Sequence, residues 1–304
     1  MAVAVELEFE TVANGLDFPE GPVVLGDGSI LVVEIFGGTL ARITADGAVS
    51  RPVRLGGGPN GAATGPDGAI YVCNNGGMAA RKLGGEVVPA GDLAPDYSGG
   101  RIERVDLASG TATILYDACE GVPLYSPNDI VFDRHGGFWF TDHGKKLSGE
   151  RTPSGIFYAQ PGGGQIRCLV RGPQSFNGIG LSPDEATLYV ADTFSGRLLR
   201  FDVSAPGILA SAEPTLVVAL GEGRMVDSLA VGADGAVHVG ALMPGGIVTV
   251  HGGVITGDHR LPDPYVTNIA FGGDDMATAY ITLSQTGRLV RARGIGTGLP
   301  LNFG

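Results

Sequence analysis

One unit recurs six times along this chain, and that repetition limits its architecture more than any other feature. Each copy opens with a small polar pair, runs through an alternating strand to a turn of the Asp-Gly type, and continues into a second strand rich in Val, Tyr, Phe and Thr. Pro19-Glu20-Gly21 leads to Gly26-Asp27-Gly28 and the run Ile30 to Glu34; Pro59-Asn60-Gly61 leads to Pro66-Asp67-Gly68 and Ile70 to Cys73. Pro127-Asn128-Asp129, Phe176-Asn177-Gly178, Val226-Asp227-Ser228 and Thr267-Asn268-Ile269 open the other four copies. The opening polar residues Glu20, Asn60, Asn128, Asn177, Asp227 and Asn268 stand 40, 68, 49, 50 and 41 residues apart. A four-stranded propeller blade takes about 40 to 50 residues. Only the second interval is overlong, and it contains the Gly-, Ala- and Pro-rich stretch 76–100, which reads as an inserted loop.

The pattern predicts an all-β chain: a single six-bladed β-propeller domain over residues 1–304 with a central channel. No amphipathic helix stands out, and a parallel-sheet α/β fold has no room for its crossovers. Residues before Glu20 are expected to supply an outer strand that closes the ring on the last blade. With 43% apolar residues, 52 glycines and 19 prolines, the composition suits a core built of short strands and many turns.

The net charge of −12 argues against a nucleic-acid partner, because phosphate-backbone binding rests on clustered Lys and Arg. The first ten residues carry acidic side chains, no basic one and no long apolar core, so neither a signal peptide nor a membrane anchor is expected. The three cysteines, Cys73, Cys119 and Cys168, lack zinc-ligand spacing and the density of a disulfide scaffold. A cytoplasmic protein with a small-molecule partner is the expectation.

The first strand of each blade lines a propeller's channel, so the six opening residues should converge at one mouth. Each carries a side-chain oxygen. Singly, an Asn or Asp beside Gly or Pro is ordinary turn chemistry; six in register are a ring of hard donors. Glu20 and Asp227, if held about 5 Å apart, would repel by about 3 kcal/mol at an effective dielectric of 20. That pair calls for a cation or a shared proton. Oxygen donors without nearby Cys or His point to one divalent cation, Ca²⁺ first, with Mg²⁺, Mn²⁺, Zn²⁺ and Fe²⁺ as the other candidates. Because neighbouring strands are antiparallel, Glu34, Asn74, Asn75, His143, Thr193, Met243 and Ser284 should rim the same mouth.

At these residues the chain resembles the regucalcin/gluconolactonase (senescence marker protein) family, which is related to the diisopropyl fluorophosphatase-type propellers. The resemblance covers almost the whole chain and rests on Phe18-Pro-Glu-Gly21, Pro127-Asn-Asp129, Phe176-Asn-Gly-Ile179 and Val226-Asp-Ser228. It implies a divalent ion held by Glu20, Asn177 and Asp227, with Asn128 as a fourth ligand or a substrate contact. It also implies that Asp227 acts on the substrate, as general base for a lactone or nucleophile for a phosphoester. Sugar-lactone members tend to carry an arginine two residues before the blade-three asparagine, where this chain has Ser126. With Phe36, Met78, Leu147, Phe194 and Met243 also expected at the rim, a substrate less polar than a sugar lactone is indicated.

Asn60, Asn75, Asn128, Asp129 and His143 are the candidate substrate contacts. His143, expected in a rim loop, titrates near neutrality and joins Asp227 as a candidate catalytic group, to orient substrate or shuttle a proton. Turn packing is its competing role. Cys73 reads as a packing thiol, since no base or cationic field is evident beside it. No Gly-x-Ser-x-Gly elbow or P-loop is present. The stretches 76–100 and 144–154 are placed over the channel as partial lids. The expected activity is metal-dependent lactone hydrolysis; a hydrolase of phosphotriesters or enol ethers and a non-catalytic Ca²⁺-binding or interaction scaffold are the alternatives.

Overall fold

The computed structural model describes residues 2–84, 86–221 and 223–304. Among them there is no helix, and therefore none long and apolar enough to cross a membrane. Six four-stranded antiparallel sheets follow one another along the chain as the blades of a propeller. Their innermost strands are Pro19–Val24, Pro59–Thr64, Pro127–Phe132, Phe176–Leu181, Met225–Val231 and Val266–Gly272.

Blade strands read as apolar runs because each sheet is covered on both faces. In Ile30–Glu34, Leu31 and Val33 pack with Ile70, Val72 and Val105 of blade two, whereas Ile30 and Val32 pack with Ala13 and Leu289 on the blade-six side. The core is accordingly divided into six apolar clusters, one in each cleft between successive blades. Aromatic side chains fill the cleft between blades two and three, where Phe140 and Phe157 stack at 5.0 Å and Tyr71 meets Phe132 edge-on at 5.0 Å.

A ring of such clefts must close, and the amino-terminal segment closes it. Glu10–Ala13 pairs antiparallel with Arg288–Ala292 as the outer strand of blade six, as expected from the sequence. A second addition was not foreseen: Ala4–Glu6 pairs in parallel with the outer edge of blade five, at Asp258 to Arg260. The carboxyl terminus crosses the opposite face. Asn302 donates to the Phe132 carbonyl at 3.0 Å and to Glu185 at 2.8 Å, and Phe303 meets Phe132 edge-on at 5.9 Å. Together with the rear ends of the innermost strands, this tail lines a cavity of about 500 Å³.

All six innermost strands carry a one-residue bulge just after their first residues. A bulge re-aims side chains at the point where the ladder breaks, and here it breaks where the polar pairs stand. The same bulges push neighbouring strands together. A Cβ on Gly61 would lie 2.5 Å from the Asn128 carbonyl oxygen, and one on Gly178 would lie 2.6 Å from the Ser228 Cα. The Asn-Gly pairs of blades two and four thus answer to packing at the axis. Gly61→Ala should cost about 1–3 kcal/mol of stability through forced backbone shifts, read as a lowered denaturant midpoint; an unchanged midpoint would contradict this account of the glycine.

Candidate functional site

Register identifies the residues that form the ring at the mouth. In blades two to six the residues paired just before the bulge are Pro59, Pro127, Phe176, Val226 and Val266, and the next position holds Asn60, Asn128, Asn177, Asp227 and Thr267; in blade one the pairing runs one residue further, to Glu20 itself. The blade-six member is therefore Thr267, and Asn268, read from sequence as the sixth member, stands one step further along the channel. Its register partner is Asp129. Both use a side-chain oxygen to accept their successor's backbone N–H, at 2.9 Å for Asp129 and 2.8 Å for Asn268. The slip arises because the Thr267-Asn268 pair offers an oxygen at either position.

In the upper ring, Glu20, Asn60, Asn128 and Asn177 are buried and Asp227 is partly open to the channel. Glu20 Oε2 accepts the Gly21 N–H at 2.6 Å and the Asn268 side-chain amide at 2.7 Å, so blade six fixes the orientation of a blade-one carboxylate. The side-chain carbonyl oxygens of Asn128 and Asn177 are buried with no hydrogen-bond partner. Leaving a buried acceptor unmatched costs about 1–3 kcal/mol. Two such oxygens beside two carboxylates form a set of hard donors lacking an acceptor of their electron pairs. Among the described residues no group of three His, Cys, Asp or Glu side chains is arranged to hold a metal; a cation here would draw on the amides as well. The residues fit a hard divalent cation, with Glu20, Asn128, Asn177 and Asp227 as the donors.

Three carboxylates share this hub. Burial pushes Glu20 up to about 7; the Asn268 amide opposes that rise and Asp129 adds to it. Asp129 is also pushed up to about 7 by burial, against the pull of the Ile130 N–H and the Ser228 hydroxyl. Asp227 is held well above the usual carboxylate range, first by desolvation and then by Glu20, while the Asn177 side chain pulls it down. Without a cation the hub retains protons.

The remaining candidates separate by position. Asp129 and Asn268 also line the rear cavity. Glu34 and Asn74 are fully buried in local structure: Glu34 accepts from Arg51 at 2.6 and 2.7 Å, and Asn74 Oδ1 accepts the Gly58 and Gly76 N–H groups. Ser126 is tied by its N–H to Asp142 at 2.8 Å. Cys73 is buried with its thiol pushed far up by desolvation and then by Asp129, as befits a packing role. His143 packs edge-on against Phe194 at 5.5 Å, with Nδ1 3.3 Å from the Phe176 carbonyl oxygen. Desolvation, reinforced by Arg151, pulls it down to about 3. It is a neutral imidazole at pH 7, suited to orient a substrate and poorly suited to store a proton.

The two segments expected from the sequence to act as lids touch each other. Met78–Leu83 and Glu86–Leu93 form a hairpin from blade two, and Gln285 of the blade-six rim donates to its Glu86. Tyr97, at the base of this insert, donates to the Tyr125 carbonyl at 2.8 Å. From blade three, Lys145 extends to Asn75, donating to its backbone oxygen at 3.1 Å and its Oδ1 at 3.3 Å. Sequence reasoning passed over Lys145 and assigned Asn75 to the substrate. A lysine directly after the rim motif Thr141 to Gly144 was the available signal, but its partner lies 70 residues away.

Residues 18–285 match the SMP-30/gluconolactonase/LRE-like region. The chain belongs to that family. A gluconolactonase of Zymomonas mobilis is 28% identical over 210 residues, covering 62% of this chain and 52% of the relative. A lactonase of Staphylococcus saprophyticus is 28% identical over 211 residues, covering 68% and 57%. The chain thus spans little more than half the length of these relatives. Among solved structures, the calcium-binding protein regucalcin of Agrobacterium tumefaciens superposes with a TM-score of 0.79 at 19% identity, covering 99% of both chains. A gluconolactonase of Xanthomonas campestris gives 0.74 at 21% identity, covering 94% and 89%. Those likenesses establish the fold.

Glu20 and Asp129 carry folded-state pKa values above their unfolded ones, so the folded state holds protons that the unfolded chain releases. The associated stability is present at low pH and lost as pH rises from about 4 towards 7. Protein stripped of divalent ions should therefore melt lower at pH 8 than at pH 5. Saturating Ca²⁺ should abolish this fall and, at a hundredfold excess over Kd, add about 2.7 kcal/mol. Melting curves at the two pH values, with and without Ca²⁺, provide the check, and a pH-independent Ca²⁺-free melting point would count against the protonated hub.

Proposed function

We propose that this chain is a divalent-cation-dependent lactonase. The pair of orphaned carbonyl oxygens on Asn128 and Asn177, flanked by Glu20 and Asp227, carries the reading. The names borne by its relatives, gluconolactonase and lactonase, support it. Ca²⁺ is the favoured ion, on the hardness of the donors.

The work of the chain's own groups follows from their positions. A bound cation supplies Lewis-acid polarisation of the lactone carbonyl. Asp227, the hub carboxylate most open to the channel, takes the proton of an attacking water as general base. Asn60, at the ring and 9% exposed, is available to the substrate. His143 offers a neutral ring from the rim, with Nδ1 directed to the Phe176 carbonyl and Nε2 left as an acceptor. Phe36, Phe194 and Met243 give the entrance an apolar border; Phe194 and Met243 are 61% and 45% exposed. The hairpin and the blade-three loop restrict water at the entrance.

Asp227→Asn should lower kcat/KM on a lactone panel by about 10²–10⁴-fold with the circular dichroism spectrum kept; acid release in weakly buffered indicator solution measures it. A scaffold or ion-storage protein would show no turnover to lose. Removing the hairpin, by joining Asn75 to Ser98 with a short linker, should change selectivity across the panel more than Ca²⁺ affinity measured by calorimetry. Lost Ca²⁺ binding with unaltered selectivity would contradict its placement as a lid.

A further inference from the structure

Lys145 is more than nine-tenths buried at the mouth, 8% exposed, and has no carboxylate within ion-pair distance among the described residues. Its ammonium donates to the two oxygens of Asn75, both uncharged, and stands 5.3 Å from the centre of the Tyr97 ring. Burial pulls Lys145 down to about 8, Asp142 resists that shift and Arg151 adds to it. Asp142 is already saturated by the N–H groups of Tyr125, Ser126 and Gly144. Arg151 is likewise without an acid partner: it donates to the His143 carbonyl and lies 4.8 Å over Phe194.

This is unusual within the molecule. Acidic residues outnumber basic ones by twelve, and among the described residues nine ion pairs occupy arginines elsewhere. A buried cation without a counterion is costly, and a latch between two lids needs only neutral hydrogen bonds. The loop is also built to hold Lys145 still, with its N–H on the Thr152 hydroxyl and its carbonyl accepting the Thr152 N–H, each at 2.8 Å. Both cations stand on the loop that follows the blade-three strand Phe138–Asp142.

Resting on the lactonase reading, we infer that Lys145, with Arg151 beside it, receives a carboxylate carried by the substrate, so that the preferred substrate is an anionic lactone instead of a neutral sugar lactone. Lys145 acts on specificity; the reacting atoms stay with the hub.

The test uses Ca²⁺-loaded protein and matched pairs of γ-lactones, one bearing a ring carboxylate and the other its primary amide. The readout is the ratio of kcat/KM for acid over amide. Wild type should favour the acid, Lys145→Met should lower the ratio about 10- to 100-fold, mainly through KM, and Lys145→Arg should keep it. A latch would move both members together, and a ratio equal in wild type and Lys145→Met overturns the inference. Where Lys145→Met fails to fold, Arg151→Leu is read for the same ratio, and an unmoved ratio again overturns it. If wild type opens neither lactone, the lactonase reading fails on its own, and binding decides this one. Calorimetry then compares a hydroxydicarboxylate with the matched hydroxymonocarboxylate: a selective loss in Lys145→Met supports the receptor, and equal losses refute it.

Discussion

A blade of this propeller has two apolar faces, and neither can be buried except against another blade. Leu31 and Ile30 are adjacent in sequence yet belong to different clefts, so each blade is stable only with neighbours on both sides. Ring closure by Glu10–Ala13 on blade six is therefore a condition of the whole core. It also brings Asn268 to Glu20 across 248 residues of chain. The donor ring follows from the same closure.

Much of this was legible because it is periodic. Blade number, the oxygen donor in each innermost strand and the overlong second blade all repeat or break a regular interval, and intervals survive translation into space. The closing strand was legible from the architecture, since a six-copy repeat leaves its last blade short of an outer strand. What escaped was non-periodic. Asn268 was misplaced by one residue because a bulge shifts register without marking the sequence when both neighbours are polar. The parallel pairing of Ala4–Glu6 with blade five depends on where the chain happens to pass. Lys145 and Asn75 could not be paired from sequence, since their contact requires two loops of different blades to dock.

Electrostatics ties these levels together. Burying Glu20, Asp129 and Asp227 within one channel raises all three above the usual carboxylate range, a state that protons or a cation can relieve. Asn128 and Asn177 distinguish the two remedies. Protonation gives each carboxyl one O–H donor, which can match at most one of the orphaned amide oxygens, whereas a hard cation satisfies the amides and the carboxylates at once. The donor chemistry favours the cation.

The division of labour between hub and rim also explains how one scaffold can serve relatives of such low identity. Hub residues sit on bulged strands held from both sides, where even a Cβ on Gly61 or Gly178 collides with the neighbouring blade; change there disturbs the ring itself. The rim residues sit on connections of unequal length, free to vary because the blade cores do not depend on them. Lys145 lies at the boundary, on a loop yet pinned through Asn75 to the end of a blade-two strand. A charge so placed inherits the rigidity of the hub while remaining part of the variable rim. That combination, more than proximity to the reacting atoms, is what a selectivity-determining position requires.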